Sequence, residues 1–433
     1  MIFKNLLNYT SQLILNILNQ LQKVYLNSNY YDNKISKADF KNFFYKPSPD
    51  LLSSLIKYQK KKDSIENFLT EDLWNNQNLN LKDFEKLNNF YWFFGLDLRS
   101  SKKKTQSIVS SWIKKNLKYN SKSWGFDLTS KRIIAWLSNH NLTYEESDIE
   151  YQKQFNAMIQ KQTNHLICEI NKPELLNKKI IGCAAIILVG LCYKNKNYLS
   201  FGLNLLKKIS KNSLDSYGFP KSRNIKEIIL YLKYFILIRE WFKESQILIP
   251  EQIDETIYYL GQGYAFAWQN IKADILFNGN NKSNNLEFDH YLKRFGYKFK
   301  NQNREFGGYA LLQNKKISLI MDIGSTPICK FTENYQAGAL SFEIVSNGKK
   351  LMSNCGYYHN KNLKMSKISK SSAAHNTLFI NDSSSCEFEK NNKSKLVVNN
   401  GLKIINKNIA FEKNYWKINA SHNGYLKKYK LIY

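Results

Sequence analysis

Residues 335–356 read YQAGALSFEIVSNGKKLMSNCG. Two β-rich runs flank Asn347-Gly348, the dipeptide best suited to a two-residue hairpin because both central positions of that turn need φ > 0. The same period of two continues on either side. YALLQNKKISLIMDIG at 309–324 and KLVVNNGLKIINKNIAFE at 395–412 each hold two β-rich runs around a turn. From about residue 285 onward the chain therefore predicts an antiparallel sheet structure.

Upstream the period is helical, from about 50 to 270. In NIKEIILYLKYFILIREWF (224–242), Ile225, Ile228, Ile229, Leu232, Phe235 and Ile236 fall on one stripe, with Lys226, Lys233 and Arg239 elsewhere. Similar stripes in SIVSSWIKKNLKY, KRIIAWLSNH and LSFGLNLLKKIS predict a stack of helix pairs. IIGCAAIILVGLCY (180–193) is too short to span a bilayer and reads as a buried helix. The Asn-rich, turn-forming stretch ILFNGNNKSNNLEFDHYLK marks the boundary, near 275 to 290. The domains expected are an amphipathic helical extension over 1–45, a helical domain over 46–280 and a sheet domain over 285–433.

The chain of 433 residues, 43% hydrophobic, is long enough for two or three cored domains. Its net charge of +29 points to an anionic partner, but only six of its 64 basic residues are arginine, and lysines spread this widely are solvated charge first. No zinc-finger, Arg-rich or aromatic RNA-binding pattern accompanies the charge, so nucleic acid is not an expected partner. The six cysteines stand far apart without a CxxC and read as reduced core thiols, not as a disulfide or zinc framework. The first 26 residues form an amphipathic pattern with no continuous apolar region or cleavage site. With no signal peptide and no transmembrane segment in view, the expectation is a cytoplasmic protein.

An all-helical half followed by a large antiparallel half is an uncommon order. YQAGALSFEIVSNGKKLMSNCG followed by SSAAHNTLFIND (371–382) resembles the C-terminal sheet domain of the heparinase II/III-like polysaccharide lyases. Upstream, TNHLICEINKPELLNKKIIGCAAIILVGLCY (163–193) is similar to the family's Asn-His helix and its apolar successor, and WGFDLTSKRIIAWLSNH (124–140) to an earlier Trp-rich helix pair. The resemblance covers roughly 120–430. It implies a multidomain α+β fold, an N-terminal incomplete (α/α) toroid followed by an antiparallel β-sandwich, with an active cleft between them. By family analogy a periplasmic location is the alternative compartment. The final stretch NASHNGYLKKYKLIY reads as a hairpin that stops mid-strand, so a truncated sandwich is expected.

The resemblance also implies a chemistry: β-elimination on an acidic, uronate-containing polysaccharide or oligosaccharide. Removing the weakly acidic C5 proton needs the neighbouring carboxylate neutralised, a positioned base, and an acid for the leaving oxygen. Asn164 and His165 match the family's Asn-His word and are assigned catalytic roles. The family's acid/base loop corresponds to DSYGFPKSRNIKE (215–227), where Pro220 stands at the histidine position, leaving Tyr217 as the third catalytic candidate. A phenol is a weak acid, so its use as a base calls for nearby positive charge, which Lys221 and Arg223 offer. Arg223 is expected to bind an acidic sugar bidentately, with Gln336 and His375 binding substrate from the sheet side.

Some relatives hold a structural zinc at the places matched here by Gln336, Asn354 and His375. One imidazole and two amides are a poor zinc set, so neither metal nor cofactor is expected, and His375 reads as a hydrogen-bonding core or cleft residue on a strand. The missing histidines keep open a second reading, a glycan-binding or envelope-associated protein that has lost catalysis. A toroid glycoside hydrolase would need a carboxylate pair, for which Asp215 and Glu227 qualify only by position.

Overall fold

The structure is a computed structural model that describes residues 2–37, 40, 43–53, 74, 79–96, 101–172, 175–281, 286–358, 363–391, 395–412 and 415–433. It has two compact units, one of residues 1–209 and 236–250, the other of 210–235 and 251–433.

The first unit is helical. Ser28, Asn80, Ser101 and Asp148 each accept the backbone N–H three residues on, so four of its helices begin at side chains that satisfy an otherwise orphaned donor. Helix Lys179–Cys192 is buried from Ile180 to Cys192, as its uninterrupted apolar composition requires. It packs on helices Phe126–Ser138 and Ile149–Glu169. Its contact with helix Lys196–Ser213 is at backbone distance: a Cβ on Gly190 would lie 2.8 Å from the Leu199 nitrogen, and one on Gly202 2.5 Å from Ile187 Cγ1. Among the described residues no helix is long and apolar enough to cross a membrane.

The second unit holds helices Glu251–Tyr264 and Leu286–Arg294 and nine described strands. Strands β1 (Glu305–Phe306), β2 (Tyr309–Gln313), β3 (Ile317–Asp322), β4 (Phe342–Ser346) and β5 (Lys349–Met352) form an antiparallel meander in sequence order. The β4–β5 turn has φ of 48° at Asn347 and 74° at Gly348, the pair of positive values the Asn-Gly signal predicts. Strands β6 (Glu387–Lys390) and β7 (Leu396–Asn400) pair with each other, as do β8 (Ile404–Phe411) and β9 (Trp416–His422). The second layer closes the core. Ile404, Ile409, Ile418 and Ala420 of β8–β9 pack on Ala310, Ile323 and Leu340, while Val398, Cys386 and Phe388 pack on Tyr335, Ala337 and Ala339.

Four local expectations differ. Residues 395–412 are not one hairpin: the Leu402 N–H donates to Thr326 Oγ1 at 3.0 Å and Gly401 lies against Thr326, so the chain leaves β7 and β8 pairs elsewhere. His375 is not on a strand. It follows a 3₁₀ turn, Ser372–Ala374, and the side chains of Asn376 and Thr377 bond the Phe342 and Ala339 carbonyls in place of a ladder. After β9 the chain makes a helical turn, Leu426–Tyr429, before Tyr433 pairs with His422 through both backbone groups. Of the six free cysteines only Cys183, Cys192 and Cys386 are buried.

Candidate active site

The loop carrying Tyr217 is tied to itself. Asp215 Oδ1 accepts the N–H groups of Tyr217 (2.9 Å) and Phe219 (2.8 Å), Asp215 N–H donates to the Phe219 carbonyl at 2.8 Å, and Leu214 and Pro220 form an isolated bridge. Gly218 takes φ +74° where a Cβ would lie 2.4 Å from that of Tyr259. This tight turn leaves the Tyr217 side chain 65% exposed, with the Phe306 ring 6.4 Å away, centroid to centroid. Asp215 is thereby committed to the turn, and Glu227 accepts from Ser222 Oγ at 2.6 Å, so neither carboxylate behaves as half of a hydrolase pair.

Arg223 fixes the end of the loop to the sheet. Its Nη2 donates to Asp322 Oδ1 (2.5 Å) and the Gly308 carbonyl (2.8 Å), Nη1 to the carbonyls of Gly324 (2.9 Å) and Ser325 (3.4 Å), and Nε to that of Gly307 (3.4 Å). A guanidinium has five N–H groups, and all five have protein acceptors. The expected grip on a sugar is therefore replaced by a structural one. Three glycines make the socket possible: a Cβ at Gly324 would sit 2.3 Å from Cζ, and Gly307 and Gly308 both have positive φ. Burial disfavours the charge, but Asp322 beside it more than compensates and holds the guanidinium above its ordinary value. Asp322 also accepts from Gly324 N–H (3.1 Å) and Asn278 Nδ2 (3.0 Å), and Tyr309 Oη donates to the Arg223 carbonyl (2.7 Å).

Gln336, Asn354 and His375 lie in the same unit. Gln336 Nε2 donates to the carbonyls of Ser369 (2.6 Å) and Gly356 (3.0 Å), and Oε1 accepts from Gly279 N–H (3.1 Å). Asn354 Oδ1 accepts from Asn376 N–H at 2.9 Å. His375 is 9% exposed, and neither ring nitrogen makes a hydrogen bond among the described residues, nor does Asn354 Nδ2. Burial pushes its imidazole down to about 4, with the Ser369 carbonyl opposing in part. The residues do not fit a metal: both ends of the Gln336 amide and the Asn354 oxygen are occupied, and an amide nitrogen is no ligand. Among the described residues no three His, Cys, Asp or Glu side chains converge as a metal set.

Asn164 and His165 belong to the first unit, on helix Ile149–Glu169. His165 is 1% exposed, accepts from Tyr31 Oη through Nδ1 (2.7 Å) and donates through Nε2 to the Trp124 carbonyl (3.1 Å), which assigns the Nε2–H tautomer. Burial pushes it down to about 3. Asn164 Nδ2 donates to the carbonyls of Ile35 (2.8 Å) and Lys37 (3.3 Å), and Oδ1 accepts from Tyr198 Oη (2.6 Å). The pair holds the N-terminal segment 31–37 in place.

Residues 303–433 match the family described as heparinase II/III-like, C-terminal. The match covers the sheet-bearing part of the chain. No curated protein matches the sequence. A heparinase III crystal structure aligns with TM-score 0.59 and 15% identity over 92% of this chain and 69% of that one. A heparinase III with methylated lysines aligns with TM-score 0.61 and 12% identity over 92% and 67%. The heparan sulfate lyase HepC from Pedobacter heparinus aligns with TM-score 0.51 and 12% identity over 91% and 71%. The heparinase-like architecture, a helical toroid followed by an antiparallel β-sandwich, is thus the fold the sequence words imply.

Sequence reading missed the socket of Arg223. Its signals were present: Gly307-Gly308 between two strands and Asp322-x-Gly324 after a third mark places of close backbone approach. It also took Asn278 for boundary filler, although that side chain is buried in the Asp322 network.

Proposed function

We propose that this protein acts on an acidic, uronate-containing polysaccharide and cleaves it by β-elimination, with Tyr217 as the group that exchanges a proton with substrate. The supporting observation is a solvent-presented phenol on a hydrogen-bonded turn. A base must reach its proton without the protein first rearranging, and a turn closed by Asp215 and Gly218 and anchored at Arg223 meets that need. Lys221, whose Nζ rests on the Lys211 carbonyl at 2.7 Å, contributes positive charge to the same loop, and the net charge of +29 favours a polyanion. The test is absorbance at the ultraviolet band of unsaturated uronates during incubation with heparan sulfate, chondroitin sulfate, hyaluronan and alginate. Wild type should generate the band on at least one of them. Tyr217→Phe should abolish it while keeping the wild-type melting temperature, because the side chain is exposed. Equal rates for the two proteins would remove Tyr217 from the chemistry.

A second reading is glycan binding without cleavage. It is favoured by a specific observation: the polar atoms of Asn164, His165, Arg223 and Gln336 are already bonded within the protein. Retention of wild type on an immobilised acidic glycan, with no ultraviolet band from any substrate, would select it.

A further inference from the structure

Lys370 ends helix Leu363–Lys370 and is 1% exposed. Lysine is almost never fully buried unless paired, yet among the described residues no carboxylate bonds its ammonium. Glu333, whose charge opposes the burial that pushes Lys370 down to about 7, turns its side chain to Lys395 (2.5 Å) and bonds Lys370 through its backbone carbonyl. Nζ instead faces four carbonyl oxygens, those of Glu333 (2.6 Å), Leu396 (3.1 Å), Tyr335 (3.2 Å) and Thr332 (3.5 Å). The rings of Phe388 and Tyr357 flank it, with centroids 5.1 and 5.5 Å from Nζ. A ring of carbonyl oxygens beneath aromatic faces is an environment for a cation, and here the chain supplies its own.

The cage draws together parts distant in sequence. Thr332, Glu333 and Tyr335 lie on the connection from β3 to β4, Leu396 opens β7, and the lysine comes from the helix between them. The neighbouring bonds repeat the connection: Ala337 N–H donates to the Lys370 carbonyl (2.9 Å), Gln336 Nε2 to the Ser369 carbonyl (2.6 Å), and Val398 N–H to Thr332 Oγ1 (2.9 Å). We infer that the Lys370 ammonium is the resident cation of the sheet unit, joining the β3–β4 connection, β7 and helix Leu363–Lys370 through backbone carbonyls, so that this unit folds without a metal ion. The disagreement between Gln336, Asn354 and His375 and any metal set then has a physical counterpart: the cross-link is made by a charge attached to the chain.

The experiment uses the full chain. Lys370→Met removes the charge and keeps most of the stem, taking the ammonium from four carbonyls of which that of Thr332 keeps the Tyr335 N–H (3.1 Å), and its melting temperature should fall by about 5 °C or more. In Lys370→Ala, propylammonium or butylammonium chloride should raise the melting temperature above that in sodium chloride of equal ionic strength, while tetramethylammonium, which has no N–H, should not. If Lys370→Ala does not stay folded, recovery of folded protein on dilution from urea is compared in the same salts, with recovery in the alkylammonium alone expected. Wild type should contain well under one metal ion per chain and keep its melting temperature in EDTA. A Lys370→Met variant as stable as wild type, no advantage of primary ammonium over sodium, or a stoichiometric metal whose removal lowers the melting temperature would each overturn the inference.

Discussion

Replacing Arg223 by methionine tests whether this residue is a pin or a substrate ligand. The change leaves Asp322, 1% exposed, with two neutral donors, Gly324 N–H and Asn278 Nδ2, and no counter-charge. Removing one partner of a buried ion pair costs about 3–5 kcal/mol, because the remaining charge stays desolvated. The carbonyls of Gly307, Gly324 and Ser325 lose the guanidinium donor as well, while that of Gly308 keeps the Ile323 N–H (2.9 Å). Set against the roughly 5–15 kcal/mol that holds a typical domain together, this is a large share of the sheet unit's stability. The Asp322→Asn change in the same background neutralises the stranded charge and keeps an acceptor for Gly324. The double variant should therefore recover about 2 kcal/mol relative to the sum of the single changes. Urea unfolding of the full chain, followed by near-ultraviolet circular dichroism, measures all four corners of the cycle. If Arg223→Met costs under about 1 kcal/mol, or the two changes simply add, the guanidinium is not the anchor described. A ligand role would instead leave the melting curve in place and weaken only glycan retention.

Asn164→Ala breaks bonds to the Ile35 and Lys37 carbonyls and takes one of two side-chain partners from the Tyr198 hydroxyl, so it should cost about 1–3 kcal/mol, with any loss of glycan retention following the melting curve. A stable variant that had lost glycan affinity would return Asn164 to the binding surface. His375 titrates at about 6.5 when unfolded and at about 4 when folded, so the unfolded chain binds more protons between those values. Its contribution is whole above pH 6.5, falls as pH drops through that window and is gone below about pH 4, a loss of up to about 3 kcal/mol at 1.4 kcal/mol per pH unit. His375→Leu should melt close to wild type at pH 7.5, since no hydrogen bond is lost, and show a flatter pH dependence from 6.5 to 4. Thermal melts across that range check both, and an unchanged slope would show that another group carries the acid sensitivity.

What was legible in the sequence was whatever repeats. The Asn347-Gly348 turn, the period of two on either side of it and the buried run at 180–193 rest on local rules that tertiary context did not overturn. What was not legible depends on who pairs with whom. The runs at 395–412 look like a hairpin because each has strand composition, but the Thr326 hydroxyl, some seventy residues earlier in the chain, decides that β7 and β8 part company. The divisions at 209/210 and 235/236 fall inside helices, where neither composition nor period changes. For the site, residue types at family positions were readable, but their hydrogen-bond partners were not. His165 was a plausible acid or base until Tyr31 and the Trp124 carbonyl took its two nitrogens.

A side chain can act on a substrate only through atoms the protein has not already engaged. Arg223 shows the strict form of this rule, because five donors meet five acceptors. Gln336 and Asn164 follow it with both ends of their amides. His375 is the opposite case: both nitrogens are unbonded, but burial keeps it neutral and away from a polar ligand. Tyr217 alone among the six candidates combines exposure with a fixed backbone. If this chain turns over a glycan, the uronate charge must then be met by something other than the bonded Asn164, and its surplus of lysines is the available source. Lysines neutralise a carboxylate as solvated point charges, without the directed donors of an amide or a guanidinium, and such an attraction weakens with salt. Catalysis by this fold therefore requires that diffuse positive charge around one exposed phenol replace directed hydrogen bonds at the sugar carboxylate.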